Sequence, residues 1–310
     1  MLDNLIEAGD YGHPVLINWD IIDKCQFKCT YCYATDFNKD EFSQGLHQNT
    51  WRLVLHRLSK LDFDWIVDIR GGEPTLHPHF HDIIRALESY PHCKKISIAS
   101  NMGARIQDYL QLDQPDSKIE LHASYHVEYP NQFARKVLEL APALKHIVFF
   151  VEIIMYPKQQ YYDQLLAMFA LMEQHNIIHG GVLVRPNKFW DGVYDPDFWT
   201  IFDRWINDNT NKYAQDIKHV TTSGTEYVNE GYLLKNNLNY NGYQCQQMAY
   251  NVTMTGDFTN VCTGTRLPIN AKEADYKQVV TCPNTVPCYC YPMLLYKKIN
   301  PVFIRKKKSD

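Results

Sequence analysis

Cys25-Gln26-Phe27-Lys28-Cys29-Thr30-Tyr31-Cys32-Tyr33 follows directly on Val15–Ile22, an apolar run that reads as a strand. Its cysteines fall four and three residues apart, which sets three sulfurs around one compact loop. Three thiolates suit three corners of an iron–sulfur cube and leave the fourth iron open to another ligand. Zinc is the alternative, but it closes four positions with paired CxxC or Cys/His sets. No fourth ligand stands at the expected spacing, and His47 lies beyond an acidic stretch.

Outward from this loop, short apolar runs alternate with helical patterns. The strand-like runs are Val15–Ile22, Trp65–Ile69, Ile96–Ser100, Ile119–Ser124, Ile147–Met155 and Val182–Arg185. Helix-like stretches lie near Thr50–Leu61, Phe80–Tyr90, Ala104–Leu112, Asn131–Leu140 and Tyr161–His175, with Thr50 and Asn131 as expected N-caps. The intervals are long enough for crossover helices, so the sheet should be parallel. Six β-α repeats without a seventh and eighth predict an α/β fold: a partial, open (β/α)6 TIM-like barrel whose reacting groups sit at the carboxyl ends of its strands.

Composition agrees with a folded chain. Of 310 residues, 45% are hydrophobic and 21% charged, which excludes wholesale disorder, collagen-like repeats and a coiled-coil rod. The formal charge of −4 gives no global field toward nucleic acid or anionic lipid, so neither a nucleic-acid nor a membrane partner is expected. No apolar run is long enough to span a bilayer, and Met1–Asp10 is acidic, without the layout of a secretory signal. A cytoplasmic protein is expected. Nine cysteines, eight of them in two clusters with Cys93 alone, therefore point to metal or catalytic sites rather than disulfides.

A second motif joins the first. After Trp65–Ile69 comes Arg70-Gly71-Gly72-Glu73-Pro74-Thr75-Leu76-His77-Pro78. CxxxCxxC followed by an aromatic, then GGEP at the end of the second strand, resembles the radical S-adenosylmethionine (SAM) superfamily. The resemblance implies that Cys25, Cys29 and Cys32 hold a [4Fe–4S] cluster, with SAM chelating its open iron. It implies that Gly71, Gly72 and Glu73 meet the methionyl amino group, and that Ser100, Asn101 and Ser124 contact the ribose and carboxylate. Tyr33 resembles the aromatic that lies near adenine. Arg185 is a candidate for a carboxylate or phosphate, or for solvent. His122 and His126 flank Ser124 and read as satisfied structural histidines. By the same resemblance, one electron from an external one-electron reductase cleaves SAM to a 5′-deoxyadenosyl radical, which removes a hydrogen from substrate. The protein supplies orientation and shelter; no catalytic base is identified.

The pattern changes after Pro186. We expect a core over residues 1–186, a linker and helix over 187–215, a cysteine-rich domain over 216–300 and a basic tail over 301–310. Cys245, Cys262, Cys282, Cys288 and Cys290 lie in the third part, around a predicted hairpin over Met248–Cys262 that turns at Thr255-Gly256-Asp257. This resembles the C-terminal SPASM and twitch extensions, which carry auxiliary [4Fe–4S] clusters. Five cysteines fall short of the seven of a full SPASM pattern, and the Gly256-to-Cys262 gap departs from its spacing, so one twitch-like cluster is expected. One of the five is then spare, as a buried thiol or a hydrogen-atom donor, and zinc remains the rival metal. Extended members of the family modify peptides by crosslinking, epimerisation or oxidation; others oxidise or rearrange sugars, nucleosides or other small molecules. Aromatics around Lys188–Trp205 and Tyr227–Tyr250 suit a groove for an extended chain, and peptide or protein modification is the favoured expectation. The mere 14 residues before the first expected strand leave no room for a peptide-recognition domain, which weakens it. A small-molecule dehydrogenase or rearrangement enzyme is the alternative, and a non-catalytic iron–sulfur or zinc protein the rival from another class.

Overall fold

In a computed structural model, residues 5–9, 14–32, 50–184, 193–207, 217–228, 230–246, 248–253, 255–268, 270–283 and 298–299 are described. Six strands run in chain order to one edge of an eight-stranded sheet: β2 (Val15–Ile22), β3 (Trp65–Gly71), β4 (Cys93–Ser100), β5 (Ile119–Tyr125), β6 (Val148–Met155) and β7 (His179–Leu183), all parallel. Parallel neighbours need crossovers. The intervals hold α1 (Trp51–Leu58), α2 (Phe80–Ser89), α3 (Ile106–Leu110), α4 (Phe133–Leu140) and α5 (Tyr162–Gln174). Apolar residues at helical spacing, such as Ile83, Ile84 and Leu87 on α2, join the strand residues Val67, Ile69, Ile96, Ile98 and Leu121 in one core.

The last of these strands begins three residues before its expected position, at His179. The expected cap at Asn131 is also displaced: Gln132, in the left-handed region at φ 64°, precedes α4. Thr50 does stand at the N-cap of α1, but its side chain makes no capping hydrogen bond. After β7 comes α6 (Pro196–Asn207), whose Phe198 and Phe202 pack against Tyr162 of α5.

Two features lie outside the sequence reading. The expected hairpin forms, as β11 (Ala249–Val252) and β12 (Phe258–Asn260), with Gly256 at φ 77° in its turn. However, it extends the main sheet, because β11 pairs in parallel with β2, Ala249 opposite Leu16. Arg57 of α1 fastens the turn, donating to the Gly256 carbonyl at 2.8 Å and pairing with Asp257 at 3.1 Å. Second, a strand precedes Val15: β1 (Leu5–Ala8) enters an antiparallel sheet with β8 (Ile217–Thr221), β9 (Gly224–Val228), β10 (Gln244–Gln246), β13 (Val279–Thr281) and β14 (Lys298–Ile299). Short helices α7 (Glu230–Lys235) and α8 (Glu273–Tyr276) complete the C-terminal part. Among the described residues no helix is long and apolar enough to cross a membrane.

Candidate functional site

Strand polarity gathers the candidate residues. The cysteine loop leaves the carboxyl end of β2, Gly71–Glu73 that of β3, and Ser100–Asn101 that of β4; Ser124 lies near the end of β5. Groups from separated parts of the chain thus share one end of the sheet, where parallel α/β folds place their chemistry.

The two glycines serve the cysteine loop. Gly72 N–H donates to Ile22 O at 2.7 Å, and Glu73 N–H to Lys24 O at 2.9 Å. Any Cβ on Gly72 would overlap the Lys24 carbonyl and stand 2.8 Å from Asp23 O, while Gly71, at φ +132°, would drive one into Ile22 O. Both glycines thus let β3 approach the backbone of Ile22–Lys24 closely, just before Cys25.

Glu73 is fully buried and pins the next loop. Its carboxylate accepts from Ser100 Oγ (2.8 Å), Asn101 N–H (2.7 Å), Thr75 Oγ1 (2.6 Å) and Thr75 N–H (3.2 Å). Burial pushes the carboxyl up, opposed by these donors. Lys136 of α4 holds the same loop through the Met102 and Ala104 carbonyls, each at 2.7 Å.

Asn101 carries the network to sulfur. Its Nδ2 donates to Cys25 Sγ at 3.4 Å, as does Phe27 N–H. Cys29, buried, lies 3.5 Å from His126 Nδ1, which is 3.1 Å from Tyr31 Oη. Burial pushes the Cys25 and Cys29 thiols up to about 11 and 12. The three cysteines act on one another electrostatically. Yet among the described residues no three His, Cys, Asp or Glu side chains converge tightly enough for a single metal ion. Three grouped thiols, one buried and two half-buried, with N–H donors aimed at Cys25 Sγ, fit an iron–sulfur cube, which would supply the positive charge that their thiolates lack.

The face of the sheet opposite Val67, Ile69 and Leu121 carries a band of polar residues. Thr259, Asn251, Asn18, Asp68, Ser97 and Glu120 lie in register on six adjacent strands, and pleating puts laterally paired residues on one face. Asp20 pairs with Arg70 at 3.2 Å. Lys95 meets Glu120 at 3.2 Å, His122 lies 3.5 Å from Glu120 and 2.8 Å from Glu152, and Ser124 Oγ donates to Glu152 at 2.9 Å. Burial pulls the His122 imidazolium down, but Glu120 and Glu152 outweigh it and hold the group at about 9. Burial raises the Asp68 carboxyl. Apolar residues such as Leu16 and Phe150 share this face with the polar ones.

Most of these polar residues escaped the sequence reading, although their strict period-two alternation was visible. His122 and His126, read as structural, stand in the charged face and against Cys29. Tyr33, Arg185, Cys288 and Cys290 lie outside the described residues, as does His47. In the C-terminal part Cys245, buried on β10, interacts electrostatically with Cys262 and Cys282, and burial pushes its thiol up to about 11. Cys93 is buried at the first position of β4.

The chain is 35% identical over 103 residues to a GTP 3′,8-cyclase of Pasteurella multocida, covering 32% of this chain and 29% of that protein. Over 85 residues it is 28% identical to an S-adenosylmethionine-dependent nucleotide dehydratase of Selenomonas ruminantium, covering 27% of this chain and 29% of that protein. It thus spans under a third of these relatives' length. The solved structure of anSMEcpe with bound AdoMet superposes with TM-score 0.54 at 14% identity, over 85% of this chain and 80% of that one, a likeness of fold. No family profile matches.

Proposed function

We propose that this chain, a radical S-adenosylmethionine superfamily enzyme, uses the strand-end loops to hold SAM against a cluster on Cys25, Cys29 and Cys32, and abstracts hydrogen from a small polar molecule on the adjoining face. When bound, the [4Fe–4S] group and SAM supply reductive cleavage to a 5′-deoxyadenosyl radical. The chain's own residues do the rest. Gly71 and Gly72 seat the cysteine loop on the end of β3, and Glu73 fixes Ser100 and Asn101 beside it. Ser124, its proton committed to Glu152, offers lone pairs to a ligand hydroxyl or ammonium group.

The observation that carries this reading is the adjacency of the thiol loop to the Glu73–Ser100–Asn101 network. The polar face supports a substrate rich in hydrogen-bonding groups, of the nucleoside or sugar class. The curated relatives, a GTP cyclase and a nucleotide dehydratase, support the same reading, and none of those cited supports the expected peptide modification. The finer architecture we propose is a partial (β/α)6 barrel over residues 1–186, apart from β1, which joins the C-terminal sheet, and a cysteine-rich extension over 216–300, which lends the β11–β12 hairpin to the main sheet and binds an auxiliary cluster through four of Cys245, Cys262, Cys282, Cys288 and Cys290.

Anaerobic reconstitution with iron and sulfide, followed by SAM and dithionite, tests the reading. We expect 5′-deoxyadenosine, its yield rising with a small polar substrate. A chain that loads iron yet forms none is a scaffold and not this enzyme; a yield that rises only with peptides refutes the substrate class.

A further inference from the structure

His126 and Tyr31 converge on a single sulfur. His126 Nδ1 stands 3.5 Å from Cys29 Sγ and 3.1 Å from Tyr31 Oη. The two rings stack at 5.9 Å with 13° between planes, Tyr31 packs on Tyr156 at 4.6 Å, and Phe27 meets the edge of His126 at 6.0 Å. Tyr31 is buried, and its intervening loop residue, Thr30, is held twice by Glu128, at 2.8 and 2.6 Å. Packing therefore fixes both polar groups where they are.

A thiolate sulfur is an acceptor only, so any hydrogen bond between it and these neighbours is donated by them. We propose that His126 and Tyr31 are positioning residues that tune the reduction potential of the cluster, by donating hydrogen bonds to the Cys29 sulfur. In this arrangement the Tyr31 O–H points at Sγ, and the His126 Nδ1–H is shared between Sγ and the phenol oxygen. Hydrogen bonds to ligating sulfur draw electron density from it, which favours the state carrying one more electron and raises the potential. Cys25 accepts backbone and amide donors, as many loops supply. The His126–Tyr31 pair joins the residue that follows β5 to the cysteine loop. The inference rests on Cys25, Cys29 and Cys32 being cluster ligands.

The test compares the anaerobically reconstituted full chain with Tyr31→Phe, His126→Phe and His126→Asn. Each is titrated with dithionite in the presence of redox mediators while the electron paramagnetic resonance (EPR) signal of the one-electron-reduced cluster is followed, with iron and sulfide counted. Removing a donor should make reduction about tenfold less favourable in Tyr31→Phe and His126→Phe, a negative shift of about 59 mV for a one-electron couple. His126→Asn, which keeps an N–H near Nδ1, should stay within about threefold of the parent. Wild-type midpoints in cluster-loaded Tyr31→Phe and His126→Phe overturn the inference. Should His126→Phe fail to load iron, Tyr31→Phe, which removes one oxygen atom, decides the matter alone. A parent chain without a [4Fe–4S] cluster instead refutes the ligand assignment beneath it.

Discussion

Glu73→Gln is nearly isosteric, and its effect follows from counting donors. Oε1 of Glu73 accepts from Ser100 Oγ and twice from Thr75, whereas Oε2 accepts only from the Asn101 N–H. The amide oxygen of Gln would take the Oε1 position, so its NH2 would face the Asn101 N–H, donor against donor. One charge-assisted bond is lost and a buried N–H is stranded, which together cost about 2–4 kcal/mol. That strain falls on the loop carrying Asn101, whose Nδ2 reaches Cys25. Urea unfolding of the anaerobic, metal-free chain should show the loss as a lower midpoint with an unchanged slope. In the reconstituted protein, affinity for SAM should fall at least about tenfold, since about 1.4 kcal/mol is a factor of ten. If Glu73→Gln unfolds within about 0.5 kcal/mol of the parent and binds SAM equally well, Glu73 does not pin this loop, and the reasoning fails.

Arg57→Ala should cost about 2–3 kcal/mol, because it removes the buried guanidinium that donates to the buried Gly256 carbonyl and pairs with Asp257, whereas Arg85→Ala, in an exposed pair with Asp82, should cost under about 1 kcal/mol; equal urea midpoints would refute the docking role of Arg57. The His122 group is raised from its ordinary 6.5 to about 9, so the stability it contributes is complete below pH 6.5 and is lost as pH rises toward 9. Over that window the advantage of the parent over His122→Asn should shrink by about 3 kcal/mol, and a pH-independent difference would contradict the pairing with Glu120 and Glu152. Cys93→Ala should leave iron loading unchanged, whereas Cys29→Ala should abolish the SAM-binding cluster; equal loss of iron in both would place Cys93 among the ligands.

The parallel strands were legible because each is a short apolar run separated from the next by a helical pattern, and the cysteine loop because its spacing is local. The hairpin at Ala249–Val252 was legible as a hairpin but not as a neighbour of β2, since its pairing with Leu16 spans most of the chain and leaves no local trace. Leu5–Ala8 is too short to show periodicity, and only pairing with β8 and β14 makes it a strand. Asp68, Glu120 and Glu152 were visible as polar alternates within strands. Their meaning depended on register, which brings Asp68 beside Ser97 and Ser124 beside Glu152. Period two reveals that a strand has two faces; it does not tell which strands share them. The partners of His126 left no local trace either, because Cys29 lies on a loop that only the fold brings near.

The most direct measurement is the EPR spectrum of the reduced, reconstituted chain before and after SAM is added, in the parent and in a Cys32→Ala variant. Direct binding of SAM to a cluster held by Cys25, Cys29 and Cys32 should shift the parent's g-values, and the variant should show no such signal. A parent spectrum indifferent to SAM, or a SAM-induced shift retained in Cys32→Ala, would contradict the account.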